Sequence, residues 1–293
     1  MSLKFFKNAR NCRFVNYFSY LCRYKIDNMA KKILFINQEI IPYVPESELS
    51  LMGKALPQVM QENGHEIRTF MPKWGNINER RGQLHEVQRL SGMNLIIDDT
   101  DHPLIIKVAS IAQTRIQVYF IDNEDYFSKR QMTVDEKGVD YPDNGERAIF
   151  FARGVLETVK KLRWVPDIIH VQGWMGAVVP FYIKTAYHDE PSFADTKVVT
   201  SLFTKSLKSE LGDNFKRCVE FREATADLMN KYNDNFDFEE LGKLAIDYSD
   251  GVIAAHKDVN KNLLKYAKAN KIPTLAYPGE DFGQAYEEFY EKI

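Results

Sequence analysis

Cysteine is scarce. Cys12, Cys22 and Cys218 are spread along 293 positions, too few and too scattered for a disulfide framework or a zinc site. A reducing cytoplasm is the simplest compartment for such a chain. Long apolar runs are missing: none approaches the roughly 18 residues that a membrane helix needs, so no membrane partner is expected. Neither sign of charge dominates. With 39 Lys and Arg against 41 Asp and Glu, the net charge is −2, which leaves no global basic field to attract nucleic acid. The 15 glycines are dispersed, and no Gly-x-Gly-x-x-Gly or Walker pattern follows a strand. His65, His85, His102, His188 and His256 share no metal-ligand spacing. No metal and no resident cofactor are expected.

What is present suffices for one large core or two smaller ones, since 44% of the residues are hydrophobic. The first 28 residues stand apart. Lys4, Lys7, Arg10, Arg13, Arg23 and Lys25 face a single acid, Asp27, with aromatic residues interleaved. Residues 1–28 read as a basic tail, or as upstream sequence ahead of a true start at Met29. Residues 29–293 read as a single domain.

Along that domain, strand and helix patterns alternate. Ile33–Asn37 is uniformly apolar, as expected of a strand buried on both faces. Leu49, Met52, Leu56, Val59 and Met60 give helical spacing over 46–63, with Pro57 expected to kink the helix and Asn63-Gly64 to end it. A strand follows at Glu66–Met71. Short alternating runs at 85–90, 93–97, 104–110 and 115–121, separated by turn residues, predict antiparallel hairpins. The polar stretch 123–144 predicts a long loop. Glu146–Leu162 has the strongest helical face, with Asp143 or Asn144 as its cap. Pro166–Val171, Lys197–Leu202, Asp250–Ala255 and Ile272–Tyr277 read as strands. Helices are expected from Trp174 to about Tyr187, across much of 204–248, over 257–269 and over 284–292. The alternation predicts an α/β fold: a doubly wound, mainly parallel, Rossmann-like sheet with an antiparallel insertion.

Several of these segments resemble the glycogen and starch synthases. The strand at Lys32 leads to Glu39, Pro42, Leu49 and Ala55-Leu56-Pro57, then Gly64-His65-Glu66-Ile67 through Pro72. Asp143-Asn144-x-x-Arg147, Pro166-Asp167-Ile168-Ile169-His170-Val171-Gln172-Gly173-Trp174, Tyr248-Ser249-Asp250 and Ala276–Asp281 keep the family's order. The resemblance spans roughly residues 31–282 and covers the family's N-terminal domain. It implies one half of a GT-B fold. It also implies retaining glucosyl transfer from ADP-glucose to an α-1,4-glucan in a cleft between two domains, without a metal. It makes an α-glucan an expected partner, and a second-domain chain or a homodimer a further one. A sugar nucleotide is expected only if a partner completes the site.

The departures from the family concern chemistry. Pro45 stands where the family's loop has Lys, and Ser47-Glu48 where it has Gly-Gly. Glycine lets the backbone approach a diphosphate and Lys supplies positive charge, whereas Glu46 and Glu48 bring like charge toward it. Pro45, Glu46, Ser47 and Glu48 therefore read as a degenerate nucleotide loop. Gln172-Gly173 replaces His-Asp, and Val199–Phe203 carries no His. No catalytic residue is assigned. Glu39, Asp143, Asn144, His170, Gln172 and Trp174 are the candidates for glucan or sugar binding. Each has a structural alternative: a carboxylate on backbone N–H groups for Glu39, a helix cap for Asp143 and Asn144, a satisfied core histidine for His170, packing for Trp174. Tyr126, Phe127 and Tyr141 offer a stacking surface or a satellite apolar cluster.

Overall fold

The computed structural model describes residues 30–293 apart from Gln113. The expectations for residues 1–28 and for Met29 lie outside the described residues. Strand β1 spans Lys32–Asn37 and helix α1 Glu48–Glu62. Ser47 caps α1: its hydroxyl accepts from Ser50 N–H while Ser50 Oγ accepts from Ser47 N–H. The helix runs through Pro57 and ends at Asn63, where Gly64 takes a φ of +100°. Then come β2 (Glu66–Pro72), the single turn α2 (Glu79–Gly82), β3 (His85–Glu86), β4 (Met93–Ile97), β5 (Thr100–Ser110) and β6 (Gln117–Asp122). A π-helical turn at Glu124–Ser128 opens the long loop, and α3 spans Asn144–Leu162. The chain continues through β7 (Ile168–Gln172), α4 (Val179–Lys184), β8 (Lys197–Leu202), α5 (Phe215–Cys218), α6 (Phe238–Asp247), β9 (Gly251–Ala254), α7 (Lys261–Ala269), β10 (Thr274–Leu275) and α8 (Phe282–Lys292).

The strands form one sheet in the order β10-β9-β8-β7-β1-β2-β6-β5-β3, with β4 paired to β5. Every pair from β10 to β6 is parallel, and the pairs β6-β5, β5-β3 and β5-β4 are antiparallel. The chain winds outward from β1 in one direction and from β7 in the other. The switch point therefore lies between β1 and β7, and their C-terminal ends open the crevice where such sheets bind ligands. Helices α1 and α8 cover one face, and α3, α4, α6 and α7 cover the other. Strands β1 and β7 are buried on both faces, which explains the unbroken apolar run Ile33–Ile36 in β1 and the apolar Ile168, Ile169 and Val171 of β7.

Several local expectations need correction. Residues 204–248 are mostly irregular: only α5, a 3₁₀ turn at Ala226–Met229 and α6 are helical. Tertiary hydrogen bonds displace the local helical preference. The Asp140 carboxylate takes the N–H groups of Lys208 and Ser209, and Gly212 adopts a φ of +94°. After Trp174 there is a 3₁₀ turn and then the short α4, not one helix to Tyr187. The run 85–90 pairs only at His85 and Glu86 before turning at Val87–Leu90. Asp143 stands at the N-cap position of α3 without a side-chain capping bond, because its carboxylate is engaged by Arg130 at 2.6 Å.

Candidate functional site

At the switch point β1 ends in Asn37-Gln38-Glu39 and β7 in Gln172-Gly173, with Asn37 and Gln172 in register. Gln38 ties the two ends together. Its N–H donates to Gln172 O (3.0 Å), its Oε1 accepts from Met175 N–H (3.2 Å), and its carbonyl accepts from the Trp74 indole (2.9 Å). The backbone passes so close that a Cβ on Gly173 would stand 2.7 Å from Gln38 Cβ, and Gly173 has a φ of +91°. Only glycine suits that position.

Glu39 is half-buried, and side chains hold it. Gln38 Nε2 donates to one carboxylate oxygen (3.2 Å) and Ser47 Oγ to the other (2.5 Å). This differs from the backbone N–H alternative, because Ser47 supplies the helix cap and anchors Glu39 at once. Along the loop, Pro45 and Glu46 are exposed, while Ser47 and Glu48 are partly covered. Glu48 lies in the first turn of α1, where its charge complements the helix dipole. Thr204 Oγ1 is 3.5 Å from one of its carboxylate oxygens and His256 Nε2 is 4.0 Å from the same oxygen. The other oxygen is buried and has no hydrogen bond among the described residues. Burial pushes the Glu48 carboxyl above its ordinary range, against the opposing pull of His256 and Thr204. The N-terminus of α1 is thus occupied by its own chain, and no Lys or Arg occurs between Gln38 and Leu49.

The remaining candidates fall into three surroundings. Gln172 and Asn37 are fully buried at the strand ends, and among the described residues neither side-chain amide has a hydrogen-bond partner. His170 lies deeper in β7, between Tyr290 OH (2.5 Å from Nδ1) and Ser201 Oγ (2.6 Å from Nε2). Burial pulls its imidazole down to about 3. It therefore stays neutral, donating through one nitrogen and accepting through the other. Trp174 is 4% exposed and lines a cavity of about 40 Å³ with Leu49, Leu202, Phe203 and Leu241. That space suits a water or two and not a sugar ring, so the indole packs.

Asp143 and Asn144 lie apart from the strand ends, at the start of α3. Asn144 donates to Thr133 O and accepts from Arg147. Arg147 is fully buried, and its guanidinium donates to the carbonyls of Tyr126 (2.7 Å) and Met132 (2.7 Å). It also lies 5.3 Å from the Trp74 ring centre. Trp74 therefore joins this loop to Gln38 and the switch point. Tyr126 and Phe127 are buried in the core, which leaves Tyr141 as the partly exposed ring of the three. Lys73, beyond the end of β2, pairs with Glu79 at 2.7 Å. Sequence reasoning missed Gln38, Asn37, Trp74 and the Thr204–His256 pair beside Glu48. Gln38 alone carried a local signal, as a polar residue next to Glu39 at a strand end. Among the described residues no group of three or more His, Cys, Asp or Glu could hold a metal ion, and no helix is long and apolar enough to cross a membrane.

Comparison with known proteins agrees with this geometry. A family model of the starch synthase catalytic domain matches residues 32–273. The glycogen synthase of Chlorobium limicola is 39% identical over 172 residues, covering 58% of this chain and 35% of that protein. The glycogen synthase of Chlorobaculum parvum is 34% identical over 200 residues, covering 64% and 41%. The catalytic domain of starch synthase IV from Arabidopsis thaliana, bound to ADP and acarbose, superposes with a TM-score of 0.69 at 16% identity, covering 85% of this chain and 51% of that one. The chain spans about a third to two fifths of the length of these curated relatives. With its doubly wound sheet, its switch-point crevice and a family match over most of its length, the chain belongs to the starch synthase catalytic domain family and is a glycogen/starch synthase-like glycosyltransferase domain of GT-B type.

Proposed function

We propose that this chain is the glucan-facing half of a glucosyltransferase acting from ADP-glucose to an α-1,4-glucan, and that alone it does not catalyse transfer. The supporting observation is the Pro45–Glu48 segment. A diphosphate at a helix N-terminus needs free N–H groups and positive potential. Here Ser47 takes the Ser50 N–H, and Glu46 and Glu48 add negative charge. Lys73, beyond β2, and Arg130, in the long loop, are paired with Glu79 and Asp143. Glucosyl transfer with retention must stabilise the departing diphosphate in a closed, dry cleft. A partner chain, or a second copy, that faces this crevice supplies the cations. Glu39, half-buried at the end of β1, is an anion and suits neutral hydroxyls better than phosphate, whereas the amides of Asn37 and Gln172 are fully buried. The non-catalytic alternative is an α-glucan-binding or regulatory subunit.

Incubation of the purified chain with ADP-glucose and glycogen should release no ADP; turnover by the chain alone refutes the reading. Electrophoresis through a native gel containing glycogen should retard it, and unchanged mobility removes the glucan role. Replacing the loop residues together, Pro45→Lys with Ser47→Gly and Glu48→Gly, should raise ADP affinity at least tenfold in calorimetry.

A further inference from the structure

The antiparallel insertion leaves one strand edge open. Among the described residues β4 pairs with β5 alone. A two-residue turn, Asp98-Asp99, joins Ile97 to Thr100, which puts Ile97, Leu95 and Met93 in the hydrogen-bonded pairs of the ladder. Asn94 and Ile96 then direct their N–H and C=O groups away from β5. Two facts agree with this phase. Pro103, which has no N–H, stands opposite Asn94, and the Ile96 carbonyl accepts from the Arg153 guanidinium on α3.

This edge borders a groove of about 660 Å³ whose opposite wall is the segment from Arg217 to Phe221. The Arg153 guanidinium lies 3.8 Å from the Phe221 ring centre and bridges strand to wall. Ile96 is 60% exposed beside it. The lining is acidic on balance: Asp98 is paired with Arg217 and Glu157 with Lys160, which leaves the carboxylates of Asp99 and Glu220 against the Arg153 guanidinium. Its volume lies within the usual range for ligand sites, roughly 300–1,000 Å³.

We propose that this groove docks an extended basic peptide of a partner protein, which adds to β4 as a further strand. The N–H groups of Asn94 and Ile96 and the Asn94 carbonyl supply the ladder. The surplus of carboxylates selects Lys or Arg in the incoming strand and sets the edge of a second copy against like charge. The proposal does not depend on the glucan reading.

Fluorescence anisotropy with a labelled hexapeptide of alternating Lys and Val, against its Glu and Val counterpart, tests it. The basic peptide should bind at least tenfold more tightly. Ile96→Pro removes an N–H that faces the groove and leaves the β4–β5 ladder intact, so it should weaken binding at least tenfold. Asp99→Lys with Glu220→Lys should weaken it similarly, and decides the matter if Ile96→Pro fails to fold. Absence of binding, equal binding of the two peptides, or full binding by the lysine variant overturns the proposal. So does a dimer in sedimentation that Ile96→Pro abolishes.

Discussion

Arg147 spends its whole guanidinium on loop carbonyls and on Asn144, inside a cage that includes Trp74, Phe127 and Tyr141. Burial pulls it down to about 10, still far above neutral pH, so it is charged and cannot be lost cheaply. Arg147→Met strands those acceptors and should cost about 2–4 kcal/mol in urea denaturation, the range for breaking a buried network. His170 makes a pH prediction. Its folded value lies below the ordinary 6.5, so below that pH the unfolded chain takes a proton that the folded chain refuses. Stability is lost as pH falls from about 6.5 toward 3, by up to about 1.4 kcal/mol per unit. The thermal midpoint of His170→Phe, measured against that of the parent chain from pH 7 to 4, should show a shallower acid limb. A limb of equal slope refutes this. In sequence His170 was legible only as a polar residue closing an apolar run. Whether it met ligand or core depended on Tyr290, 120 positions away.

Among the elements, α1 matters most for the crevice, because its start holds Glu39 and its middle sets the spacing to β1. A Cβ on Gly53 would lie 2.2 Å from the Glu39 carbonyl oxygen, and backbone cannot yield as a flexible side chain can. Gly53→Ala should therefore lift α1 from β1 and destabilise the fold by about 1–3 kcal/mol despite its better helix propensity; a neutral or raised thermal midpoint contradicts that packing. Legibility differed between elements for a physical reason. β1, α1, α3 and β7 were readable because burial imposes periodic or continuous apolar residues on them. The segment 204–248 was not, since Asp140, Gly212 and the edge of α3 dictate its path more strongly than its own propensity.

For the whole molecule, the sheet order places Asn37 and Gln172 side by side, and Arg147, between Asn144 and the Trp74 ring, links the start of α3 to Gln38. Glu46 and Glu48 bring negative charge to the loop between β1 and α1, which leads to an expected whole-molecule outcome. ADP-glucose should not shift the thermal midpoint of the chain. A shift with the chain alone contradicts the reading of the loop.

The sequence by itself determined the α/β class, the family resemblance and the negative charge of the Pro45–Glu48 loop, because these depend on residue types at short spacing. Tertiary structure decided the rest. It joined the ends of β1 and β7, buried His170 and Trp174, tied Asp143 to Arg130 and left the β4 edge open. Those outcomes depend on contacts between residues distant in the chain, and local periodicity carries no information about which of two buried polar groups will find a partner.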